Sequence, residues 1–182
     1  MNRPIVEISE AMLAEAERLS PEVRVARTRM SPVDTLGGIL GEFVLAQWLT
    51  GDWQNHEVGK NKGRADLFGL IEVKTSIFPF RENLNLVVRE DYGDKFKEVY
   101  VQNIIDVESR DNKTIKPGTR AVICGFATHD QATSKPPREM NMGWRSTPYK
   151  AFQTPISELQ PMAGFQEFLR KVAAEKGVNL DF

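Results

Sequence analysis

The chain holds one cysteine, two histidines and a net charge of only −1 over 182 residues. A single cysteine excludes an intrachain disulfide. Its setting in the apolar run AVICGF fits buried packing for Cys124 better than a nucleophile. His56 and His129 stand far apart without companion cysteines and form no zinc pattern. A balance this close to neutral provides no global field for nucleic acid or membrane, though it leaves room for a local basic groove. No apolar run reaches the roughly 18 residues that a spanning helix needs, so no membrane partner is expected. The N-terminus MNRPIVEISEAML carries Glu7 and Glu10 and has no long apolar centre, so it does not read as a secretory signal, and a cytoplasmic location is expected. There is no phosphate-binding glycine loop, so no nucleotide cofactor is indicated, and no nucleophile elbow. Internal repeats and low-complexity tracts are absent as well.

What is present reads as one ordinary globular domain spanning 1–182, with 41% apolar and 27% charged residues. Ser9 to Ser20 has helix periodicity, with Ser9 as cap and Pro21 as a break. A second helix is expected in SPVDTLGGILGEFVLAQWLTG, closed by Gly51, with Glu42 among apolar neighbours. Gly37, Gly38 and Gly41 in that helix suggest close packing, and Gly38 and Gly41 suit a close approach to a sheet. ADLFG and LIEVKTSIF read as two strands of a hairpin bent around Gly69. Further strands are expected in VYVQNIIDVES and RAVICGFAT, and ENLNLVVRE is a strand or an irregular segment. The polar, proline-rich stretch 129–148 reads as a long loop. YKAFQTPISEL reads as an edge strand limited by Pro155, and GFQEFLRKVAAEKG as a closing helix. The order implies a layered α/β or α+β fold around a mixed sheet.

The chemistry concentrates in GRADLFGLIEVKTS. Strand alternation sets Glu72 and Lys74 on one face and Ile71, Val73 and Thr75 on the other. A hairpin returns Asp66 to the side of Glu72. Carboxylates held close together repel, and a divalent cation removes that cost. Mg²⁺ suits such a site because it takes one or two carboxylates together with water and phosphate oxygens. Lys74 can orient or deprotonate a water or meet transition-state charge. The Val73 carbonyl can add an oxygen ligand. Glu42 joins the cluster if its helix packs over the sheet. The plainer alternative is a solvated Glu72–Lys74 pair with Glu42 on the wet side of its helix.

Glu42 on a helix followed by D-x5-E-V-K resembles the PD-(D/E)xK phosphodiesterase superfamily, over roughly Asp34 to Thr128. Ala65 stands where many members have proline. The resemblance implies a restriction endonuclease-like three-layer α/β fold, a central mixed β-sheet flanked by helices in αβββαβ order. Its core covers 34–128, and a C-terminal strand and helix cover 149–176. It also implies an Mg²⁺- or Mn²⁺-dependent DNA nuclease, an endonuclease by preference. Glu42, Asp66, Glu72 and Lys74 are then catalytic, with Glu42, Asp66, Glu72 and the Val73 carbonyl as metal ligands. Gln102 is a weaker match to a polar residue on the next strand. The helix expected before the last core strand has only DYGDKFKEVY as a candidate.

DNA needs positive charge near such a site. Lys60, Lys62 and Arg64 lead directly into Asp66, and Arg138, Trp144 and Arg145 combine cations with an aromatic ring able to stack on a base. Arg24, Arg27 and Arg29 form a second basic strip or a solvated face. A homodimer is an expectation from function alone, because cutting both strands takes two sites. Competing readings are a non-catalytic nucleic-acid binder and a protein–protein module.

Overall fold

The computed structural model describes residues 2–26, 31–60, 64–92, 97–140, 148–180 and 182. The chain opens with a short strand, β1 (Ile5–Glu7), then α1 (Glu10–Ala26) and α2 (Pro32–Thr50). Ser9 Oγ accepts from the Met12 N–H and fixes the start of α1. Pro21 lies inside α1 and does not end it. It removes one backbone donor at an exposed position, where solvent can satisfy the freed carbonyl. Ser31 caps α2, Pro32 takes its first position, and Gly51 closes it at φ 77° with its N–H on the Gln47 carbonyl.

Next come β2 (Ile71–Ile77), β3 (Asn85–Arg89), a 3-10 turn at Glu90–Tyr92, β4 (Val99–Ile105) and β5 (Arg120–Thr128). The chain ends with α3 (His129–Ala132), β6 (Arg138–Met140), β7 (Tyr149–Pro155), a 3-10 turn at Ile156–Glu158 and α4 (Phe165–Lys176). A four-stranded mixed sheet has the order β1-β5-β4-β2, with β2 parallel to β4 and the other pairs antiparallel. A smaller antiparallel sheet has the order β3-β7-β6.

The main sheet separates two apolar cores. On one face Met12, Ala16 and Leu19 of α1, Leu40 and Phe43 of α2, and Phe165 and Leu169 of α4 pack with Ile71, Val101, Ile105 and Ile123. On the other face Tyr100, Ile104, Val122 and Cys124 pack with Leu86 and Val88 of β3, Ala132 of α3, and Ile156 and Leu159. The long helices therefore cover one face only. The small sheet and the single helical turn of α3 form the other layer, so helices flank the mixed sheet unequally.

Several local expectations change too. The strand expected at ADLFG reduces to one antiparallel bridge, Leu67 with Ile71, around a turn in which Phe68 and Gly69 have φ of 54° and 69°. β7 is the central strand of its sheet rather than an edge, and Pro155 sits at its last position. Between β2 and β4 the described residues hold β3 and a 3-10 turn, and positions 93–96, the middle of the helix candidate DYGDKFKEVY, lie outside the described residues. The long polar segment contains α3 and β6. Register slips between Gln102 and Asn103, and opposite this bulge Gly125 has φ 143°. A side chain at Gly125 would meet the Gln160 carbonyl at 2.5 Å.

Candidate active site

β2 carries the centre of the cluster at the margin of the main sheet. Ile71 exchanges both backbone hydrogen bonds with Leu67, away from β4. Alternation along the strand points the N–H and C=O of Val73 the same way. Beyond Leu67 the chain leaves the ladder, and the Asp66 side chain takes over. Its Oδ2 accepts from the Val73 N–H at 2.9 Å. Asp66 is thus 6% exposed and fixed beside the outward-pointing Val73 carbonyl. These are the two edge groups that the sequence assigned to a metal.

Glu72 and Lys74 project from the opposite face to Val73, toward the small sheet. Lys74 Nζ donates to Glu72 Oε1 at 2.8 Å. The other oxygen, Oε2, has Lys97 Nζ at 3.5 Å. The side chains of Lys97, Glu72 and Lys74 are 13%, 17% and 26% exposed, so this is not the solvated surface pair of the plainer reading.

Register brings further groups to the same end of the sheet. Ile71, Val99 and Thr128 lie side by side, so the starts of β2 and β4 meet the end of β5. Tyr100 is the cross-strand neighbour of Glu72. Its hydroxyl is 3.3 Å from His129 Nδ1. Burial, and then the charge of Glu72, push the Tyr100 phenol up to about 12. The hydroxyl therefore keeps its proton at neutral pH. Gln102, in register with Lys74, is buried and donates to Ser76 Oγ at 3.3 Å and to the Asn103 carbonyl at 2.7 Å. It braces the strand one row in from Glu72.

Glu42 is 5% exposed on α2, the helix that covers the other face of the sheet. α2 lies close against β2. A side chain at Gly41 would stand 1.8 Å from Thr75 Oγ1, and one at Gly37 would stand 2.5 Å from Ile77 Cδ1. Gly38 meets nothing within 4 Å, so the close approach belongs to Gly37 and Gly41 and not to Gly38. Asn103 Nδ2 donates to the Gly41 carbonyl at 2.9 Å and ties the helix to β4. Among the described residues, no three carboxylate, histidine or cysteine side chains form a group able to hold a metal ion. The grouping of Glu42, Asp66 and Glu72 expected around one ion is thus not seen among them; Asp66 stands beside Val73 on the strand margin, Glu72 on the face toward the small sheet, and Glu42 on the helix over the other face.

Of the expected DNA contacts, Lys60 and Arg64 are exposed on the segment entering Asp66, and Arg138 is exposed on β6. Lys62, Trp144 and Arg145 lie outside the described residues, as do Arg27, Arg29 and the side chain of Arg24. His56 packs at a tilt against Phe43, with ring centroids 4.5 Å apart, and burial followed by the charge of Lys60 lowers its pKa. That is a packing role. Sequence reasoning missed Lys97 and Tyr100. Only the pairing of β4 with β2 could have signalled them.

No family model matches the chain, and neither does any curated protein or solved structure with which it was compared. No helix among the described residues is long and apolar enough to cross a membrane.

Proposed function

We propose that the protein is a divalent-metal-dependent DNA nuclease of the PD-(D/E)xK type. The observation that carries this reading is the Asp66–Val73 hydrogen bond beside the Glu72–Lys74 pair. It joins the two halves of the D-x5-E-x-K pattern around one strand margin. Asp66, Glu72 and the Val73 carbonyl are the oxygens that would hold Mg²⁺ or Mn²⁺. When bound, the ion supplies positive charge to the scissile phosphate and acidifies a water. Glu72 orients the Lys74 ammonium, which donates to the attacking water or to a phosphate oxygen. Lys60 and Arg64 guide the backbone of the nucleic acid toward Asp66. Buried beneath, Tyr100 and Gln102 hold the face of the sheet from which Glu72 and Lys74 project.

The test is cleavage of supercoiled, linear, single-stranded and branched DNA with Mg²⁺ or Mn²⁺, beside Lys74→Met. The expected result is metal-dependent cutting, including opening of the supercoiled circle, and a loss of about 10²-fold or more in the variant. Equal cutting by the variant would place the activity elsewhere or in a contaminant. The two ammonium groups on Glu72 favour one alternative, a nucleic-acid-binding protein whose charge cluster is structural. That alternative gives DNA binding without metal uptake or cleavage.

A further inference from the structure

Glu72 offers two oxygens, and an ammonium group stands at each. Lys74 comes from the same strand, two residues on. Lys97 comes from the segment entering β4, 25 positions away in sequence, and its side chain is 13% exposed. A lysine stem buried this far serves poorly as a solvated surface charge. Its ammonium pairs at 3.5 Å with Oε2, an oxygen that would be among the donors to a cation. A divalent ion bound to that oxygen would stand within a few ångströms of the ammonium and repel it. Binding of a divalent ion at Glu72 would therefore push Lys97 outward.

We propose that Lys97 is a second lysine of the site, an internal stand-in for the metal that passes to a substrate phosphate when the divalent ion takes Glu72. This rests on the nuclease reading above. The sequence of events is an exchange of partners with no covalent step. The carboxylate changes an ammonium for a divalent cation. The ammonium, repelled by that cation, would then meet a phosphodiester oxygen of bound substrate. The arrangement keeps Glu72 neutralised without metal, so the empty cluster avoids a buried bare carboxylate. Lys97 is a positioning residue before the exchange and contacts substrate after it.

The proposal gives metal binding and cleavage opposite signs. Mn²⁺ is titrated calorimetrically into the wild type, Lys97→Met and Lys97→Arg, with circular dichroism and thermal melts to check the fold. Lys97→Met removes the competitor, and its Mn²⁺ affinity is expected to rise about 5- to 10-fold. Its cleavage of DNA at saturating Mn²⁺ is expected to fall by about tenfold or more, and Lys97→Arg is expected to recover most of it. A purely structural role cannot tighten metal binding, because a damaged site binds less. Unchanged or weaker Mn²⁺ affinity in Lys97→Met would overturn the stand-in role. Tighter Mn²⁺ binding with undiminished cleavage would overturn the transfer to phosphate. A wild type that neither binds Mn²⁺ nor cuts DNA sinks the nuclease reading itself. A wild type that binds and cuts, with Lys97→Met indistinguishable from it, sinks only the role of Lys97.

Discussion

Asp66 has two tasks at once. Its Oδ2 closes the hairpin on the Val73 N–H, and its charge is offered to the proposed cation. The tasks separate by substitution. Asp66→Asn keeps an acceptor oxygen and is expected to stay within about 0.5 kcal/mol of wild-type stability in urea melts. Asp66→Ala leaves a partly buried N–H without this partner and is expected to cost about 1–2 kcal/mol. Both are expected to abolish metal-dependent cleavage. An Asp66→Asn protein that cuts like the wild type would remove the carboxylate from the mechanism. At this scale the sequence was informative where residues are neighbours in the chain. The same-face placement of Glu72 and Lys74 follows from alternation alone. The contact of Lys97 with Glu72 was not legible, because it depends on which strand lies beside β2.

Among the elements, α2 and β2 show how closely a helix can sit on a strand. Gly41 and Gly37 face β2, while Gly38 faces open space. Gly41→Ala forces its methyl into Thr75 and is expected to destabilise by about 2 kcal/mol or more. Gly38→Ala meets nothing and is expected to stabilise by about 0.5–1 kcal/mol through helix propensity. Thermal melts of the two variants check the opposite signs. Helices α1, α2 and α4 were readable from their periodicity and caps, since those signals are local. Pro21 misled because an exposed proline can be carried within a helix. ADLFG misled because an apolar run suits a single bridge as well as a strand. β7 misled because Pro155 was read as limiting the whole strand, whereas it only ends it. The assignment of β3 and β7 to a separate sheet was beyond reach, since period-two patterns do not say which sheet a strand joins.

For the whole molecule, the layer between the two sheets has a pH signature. Cys124 and Tyr100 both lie there. Burial pushes the Cys124 thiol from its ordinary 9.0 up to about 12. Tyr100 rises from 10.0 to about 12 through burial and the charge of Glu72. An unfolded chain releases these protons first, so it binds fewer of them than the folded chain between about pH 9 and about pH 12. Stability is therefore complete below the unfolded values and falls as pH climbs through this window. Urea melts at about pH 8 and about pH 10.5 are expected to show the decline, and Tyr100→Phe and Cys124→Ala are each expected to flatten it. A wild-type stability that holds level to about pH 11 would count against the burial of both groups.

β4 runs through the middle of all this. Tyr100, Gln102 and Ile104 look toward the small sheet, while Val99, Val101 and Asn103 look toward the helices. One backbone thus serves two separate apolar clusters. A substitution that shifts this strand to suit one neighbourhood displaces it in the other. Substitutions on the two sides are therefore expected to couple through this strand, and the stability costs of Tyr100→Phe and Gly41→Ala are expected not to add although a strand separates them.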